Sequence, residues 1–167
     1  MSATSIYRNF YVIGLSLILC TCGYSLRGDD ILSSKFGSVL LNSQQENSEF
    51  SRLLRRSLEI ADVIIVPTTD SANDEQLALN IGNEEVISRP ISVNPRARAA
   101  QYELRLSVEI SLRNASEQII SPEILSVERS YFEDIENITG NQEEIEIILS
   151  EMRKDLVNQL MRRLAAV

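Results

Sequence analysis

From Tyr102 to Arg113 the chain alternates without a fault. Tyr102, Leu104, Leu106, Val108, Ile110 and Leu112 are apolar, and Glu103, Arg105, Ser107, Glu109, Ser111 and Arg113 between them are polar. Successive side chains of an extended strand point to opposite faces, so this run predicts a long strand with one apolar face and one wet face. A sheet wetted on one side is typical of antiparallel pairing. One layer of covering elements is therefore needed, on one face only.

Two segments carry the helical period that such a cover requires. After Ser48, the residues Phe50, Leu53, Leu54, Leu58 and Ala61 recur at helical spacing, with Asn47 or Ser48 placed to cap the start. A second stripe, Ile145, Ile148, Leu149, Met152, Leu156, Leu160 and Leu164, follows Asn141, read as its N-cap. From Gln142 to Arg163 that helix would be roughly 33 Å long. Arg162 and Arg163 stand where the helix dipole favours cations. Shorter extended stretches are Lys35 to Leu41, Asp62 to Val66, Leu77 to Ile81, Glu85 to Val93 and Ile119 to Phe132, the last bent or bulged near Pro122. Residues 23–35 read as a polar connector. The order strand, helix, several strands, helix predicts an α+β fold, a mostly antiparallel sheet with two helices packed on one face.

The N-terminus follows another logic. The apolar stretch from Phe10 to Cys22 is about a dozen residues, too short for the roughly 20 that cross a bilayer as a helix. A short polar start with Arg8 and no acid precedes it, the pattern of a secretion signal. The run then reads Leu19-Cys20-Thr21-Cys22-Gly23, close to the Leu-x-small-Cys box of bacterial lipoproteins. Cys22 fits the acylated position, with Leu19 three places upstream; Cys20 fits worse, because Leu19 would fill the small position. The other readings are inert leader residues or a redox pair, and the Cys-x-Cys spacing lacks a βαβ context for the latter. Residues 1–21 are expected to be a lipoprotein signal peptide and residues 22–167 a single periplasmic α+β domain. One acyl chain binds membranes marginally, and several hold stably.

The remaining chemistry is sparse. The chain has 24 acids against 16 bases, a formal net charge of −8, so generic nucleic-acid binding is disfavoured. It has no histidine, which removes imidazole as base and ligand. Glu133, Asp134, Glu136, Glu143 and Glu144 read as a solvated acidic loop and helix start rather than a hydrolytic pair or calcium site. No catalytic residue, metal site or cofactor is expected. One stretch breaks the acidic background: between Glu85 and Glu103, Arg89, Arg96 and Arg98 occur with no acid. Its "VNPRARAA" part joins two extended segments as a hairpin tip. Guanidinium forks beside Val93, Ala97 and Ala99 suit an anionic amphiphile; the alternative is a solvated turn.

These residues resemble a known family. "CGYSLRG" at the candidate lipid cysteine, "AAQYELRLSVEISL", and the C-terminal "VERSYFEDIENITGNQEEIEIILSEMRKDLVNQLMRRLAAV" are similar, in order and spacing, to the LPS-assembly lipoprotein LptE family. The resemblance covers essentially all of the mature chain. It implies a sheet of about four strands under two helices, and a non-enzymatic outer-membrane lipoprotein facing the periplasm. Such a protein is inserted in the lumen of the LptD β-barrel, helps assemble it as a heterodimer, and binds lipopolysaccharide for delivery to the outer leaflet. The family's lipopolysaccharide-contacting cation lies just before the strand matching Tyr102 to Leu112, which places Arg96 and Arg98 at or beside it. A second family cation falls near Asn141, where this chain has none. The competing reading is an auxiliary lipoprotein of another envelope system, such as lipid transport of the ABC type or cell-wall synthase activation.

Overall fold

The computed structural model describes residues 32, 34–66, 77–93, 99–133 and 138–167. Among these residues six strands and two long helices follow one another as Ser38–Ser43 (β1), Glu49–Ile60 (α1), Ile64–Val66 (β2), Leu77–Ile81 (β3), Glu85–Val93 (β4), Ala99–Arg113 (β5), Gln118–Phe132 (β6) and Ile138–Ala165 (α2). α1 begins where its cap predicts: the Ser48 hydroxyl accepts the Ser51 N–H at 3.1 Å. It ends in a left-handed residue, Asp62 at φ 55°. The Asp62 N–H reaches Glu59 O and the Val63 N–H reaches Leu58 O, which satisfies the last carbonyls.

The sheet departs from expectation. It is mixed and six-stranded, not a mostly antiparallel sheet of about four strands. β1 lies between β2 and β3 and pairs with both in parallel; β5 pairs antiparallel with β3, β4 and β6. The reason is connectivity. A strand, a helix and a strand in succession return the chain in the same direction, so β1, α1 and β2 form a parallel pair with its crossover. β3 and β4 share one edge of β5, β3 opposite Ile110 to Arg113 and β4 opposite Ala99 to Ser107. The ladder slips by one residue between them, where the Gly82 N–H donates to Glu109 O at 2.8 Å.

The alternation on β5 does what it predicts. Leu104, Leu106, Val108, Ile110 and Leu112 are buried, while Arg105, Glu109 and Arg113 are exposed on the other face. Burying each of these aliphatic side chains contributes roughly 1.5–3 kcal/mol. Phe50, Leu54 and Leu58 from α1, and Met152, Leu156, Leu160 and Leu164 from α2, complete one continuous cluster. α1 packs on β2 and on α2, and α2 packs on β6 and β5. The bend expected near Pro122 is present. Ile110 faces Glu123 but Leu112 faces Ile120, so β6 carries an extra residue there, at a proline that has no N–H for the ladder.

Two boundaries differ. α2 starts at Ile138 rather than after Asn141, so Asn141 lies inside the helix and is buried; at 28 residues the helix is about 42 Å long. The end of the expected polar connector belongs to the core, because Leu32 is buried in it. Lys35 Nζ then donates to the carbonyls of Ala165 and Val167 at 2.8 and 3.1 Å, tying this end of the chain to the C-terminus of α2.

Candidate functional site

The candidate cation Arg89 stands in the middle of β4, directly opposite Glu103 of β5. Its Nη2 and Nε lie 2.6 and 2.7 Å from Glu103 Oε1, and its side chain remains 64% exposed. The stretch that is acid-free along the chain is thus not acid-free in space. The pleat puts Arg89 and Glu103 on one face and the ladder sets them side by side. Arg105 and Glu128 form a second cross-strand pair on that face, 3.7 Å apart. Arg96, Arg98 and Cys22 lie outside the described residues. The strands flanking the two arginines are antiparallel neighbours, with Val93 opposite Ala99.

Apolar side chains collect at this end of the sheet. Ile91 and Val93 on β4 and Phe132 on β6 are exposed, and Phe132 sits opposite Gln101. On the opposite face of β5 and β6 the rings of Tyr102 and Tyr131 stack, centroids 5.6 Å apart and 17° from parallel. Burial first, and then the Glu133 carboxylate that hydrogen-bonds it, push the Tyr102 phenol up. Sequence reasoning placed Val93 near the arginines but missed Ile91 and Phe132. Their signal was an apolar residue at a strand end, which periodicity assigns to the core by default. An exposed apolar surface of this kind can take up hydrocarbon.

The solvent face also carries a polar row. Asn42 Nδ2 donates to Asn80 Oδ1 at 3.1 Å, and Asn80 Nδ2 donates to Ser111 Oγ at 3.2 Å, joining β1, β3 and β5. The concavity over this row is bordered by Gln44, Glu46 and Glu109. It offers hydrogen bonds and negative charge. Among the described residues no three His, Cys, Asp or Glu side chains group as a metal would need, and no helix is long and apolar enough to cross a membrane.

Comparison with known proteins sets this architecture in context. The LPS-assembly lipoprotein LptE of Pectobacterium atrosepticum is 26% identical over 157 residues, which cover 93% of this chain and 84% of that protein. The protein of the same name from Yersinia enterocolitica is 26% identical over 157 residues, 93% of this chain and 74% of its own. Among solved structures, rare lipoprotein B from Shewanella oneidensis superposes with a TM-score of 0.70 at 24% identity, over 77% of this chain and 94% of that one. A lipoprotein B from Nitrosomonas europaea gives 0.64 at 22%, over 86% and 91%. At these identities the two structures speak for the fold alone. A family model described as LptE, lipopolysaccharide-assembly, matches residues 36–164, and on that match the chain belongs to the LptE family.

Proposed function

We propose that this protein is a non-enzymatic lipoprotein of the outer membrane. In this reading it is held by acyl chains on Cys22 and faces the periplasm. It plugs and helps assemble an LptD β-barrel, and it binds lipopolysaccharide on its way to the outer leaflet. The observation that carries the reading is the family match over residues 36–164, which spans the folded sheet and both helices. The surface supports it. A barrel lumen is polar, and the uncovered face of this sheet carries two cross-strand ion pairs, Arg89 with Glu103 and Arg105 with Glu128, beside exposed Ile87, Ile124 and Phe132. Such a face fills a wet channel without adding net charge from those pairs.

Arg96 and Arg98 are assigned the phosphate contacts, with Arg89 in a lesser part because Glu103 already engages it. Ile91, Val93 and Phe132 supply exposed apolar surface at the strand ends. Gentle detergent extraction of a tagged chain should bring a β-barrel protein with it, unheated and in equal amount. Recovery of the chain alone, with Cys22 unmodified, would overturn the proposal. Arg96→Asp with Arg98→Asp should weaken lipopolysaccharide binding while the complex still forms. Unchanged affinity at low salt removes those arginines from the site and leaves the plug reading standing.

A further inference from the structure

We propose that the free edge of β4 pairs with β4 of a second copy of this chain, antiparallel and centred on Ile87. This inference does not rest on the function proposed above. β5 uses one edge of β4, and no described strand pairs with the other. Every residue of β4 is exposed except Ser92, which is half-buried. Proteins usually blunt such edges by shortness, bulges or proline. β2 is three residues long, and β6 has irregular register on both sides of Ile120, with a regular ladder from Glu123 to Phe132. On β4 the irregularities begin only after Pro90, so Glu85 to Arg89 is a regular ladder with a charge at each end.

The backbone of that stretch is closed at both ends and open in the middle. The Glu84 N–H is taken by Gln45 Oε1 at 3.1 Å, on the side of the β1 loop. Pro90 has no N–H, and in a sheet its nitrogen faces the unpaired edge. Alternation then turns the N–H and C=O of Val86 and Ser88 toward the free edge.

The five side chains are self-complementary. A two-fold axis through Ile87 sets Glu85 opposite Arg89 of the second copy, Val86 opposite its Ser88, and Ile87 opposite its Ile87. Val86 and Ser88 exchange backbone hydrogen bonds twice, once on each side of the axis. Each Arg89, already beside Glu103, gains the second copy's Glu85 on the same face. Parallel in-register pairing would instead stack Glu85 on Glu85 and Arg89 on Arg89, which is repulsive. A five-residue strand pair buries far less than the roughly 1,200 Å² of a stable complex, so the dimer is weak and concentration-dependent.

Sedimentation velocity over a concentration series tests this on the detergent-solubilised full chain freed of any barrel. The expected result is a dimer whose fraction rises with concentration. Glu85→Arg alone and Arg89→Glu alone should each raise the dissociation constant at least about tenfold, through like charges facing across the axis. A one-to-one mixture of the two variants should restore association, because both arginines of the first variant's edge then face glutamates of the second. Ile87→Lys, which leaves the Arg89–Glu103 pair intact, should also give monomer, with circular dichroism unchanged. A chain that is monomeric at every concentration overturns the proposal. So does a dimer indifferent to Glu85→Arg and Ile87→Lys. If the chain is monomeric and these variants instead release a copurifying protein, the edge belongs to that partner and self-pairing is again rejected.

Discussion

The Arg153 guanidinium on α2 reaches across to the break between β3 and β4 and holds Glu84, with Nη2 at 2.6 Å and Nε at 2.9 Å from Oε1. The same side chain gives Nη1 to Glu49 Oε2 at 2.8 Å, at the first turn of α1. Three elements distant in the chain meet on one cation. The Arg153 and Glu84 side chains are only 18% and 11% exposed, and Glu84 Oε2 is buried with no hydrogen-bond partner.

Removing that cation strands the carboxylate. Arg153→Met should therefore destabilise the fold by about 2–4 kcal/mol, near the lower part of what breaking a buried pair costs. Glu84→Gln with Arg153 intact should cost less, since the amide oxygen still accepts from the guanidinium. Urea unfolding measures both; equal losses would show that the charge of the Glu84 carboxylate, and not merely its hydrogen-bond acceptance, carries the effect.

Glu123 on β6 gives a pH signature. The hydrogen bond from Arg163 of α2 lowers its carboxyl below the usual range, against a smaller opposing effect of burial. A carboxyl lowered on folding adds stability above its unfolded value, and that stability is lost as pH falls through the folded value. The stability advantage of wild type over Glu123→Gln should thus be full at neutral pH and fade below about pH 4.5, the ordinary glutamate range. In NMR titrations Arg163→Met should bring the Glu123 midpoint back up; a midpoint indifferent to Arg163 would refute the pairing.

Asp62 occupies the left-handed position that ends α1, where a β-carbon is unfavourable. Asp62→Gly should stabilise the protein by about 1 kcal/mol, seen as a higher urea midpoint at unchanged slope. A lower midpoint would mean that the aspartate side chain contributes more than its backbone strain costs.

Gly82 marks the one-residue slip between β3 and β4. A β-carbon there would lie 3.2 Å from Glu109 Cβ and 3.4 Å from Glu109 O. Gly82→Ala should cost about 1 kcal/mol by crowding the neighbouring strand. Because the clash sits where β4 departs from the line of β3, hydrogen exchange of β4 amides should quicken more than that of β1. Uniform exchange across the sheet would count against a local effect.

The elements are legible because their signals are local. Period two along Tyr102 to Arg113 and the helical stripes on α1 and α2 compare residues two to four apart, and burial follows them closely. Pro122 announces its own bulge, for want of an N–H. The start of α2 is harder to read because Asn141 has the side chain of a cap, yet the helix runs on to Ile138 and buries it. At the candidate site the arginines and Val93 are visible in the sequence, but Glu103 against Arg89 and the exposure of Ile91 and Phe132 are not.

By itself, then, the sequence determined which segments extend, which coil, and which face of each is apolar; it also placed the lipoprotein-like cysteine and the family resemblance. Only the tertiary structure decided strand order, the parallel pairing of β1 with β2 and β3, and the partners of the charges. Arg89 and Glu103 are 14 residues apart, Arg153 and Glu84 are 69 apart, and Arg153 and Glu49 are 104 apart. A period records only the residue's near neighbours along the chain. Which carboxylate reaches which guanidinium depends on loop closure and on how the strands stack, and no stretch of a few residues carries that information.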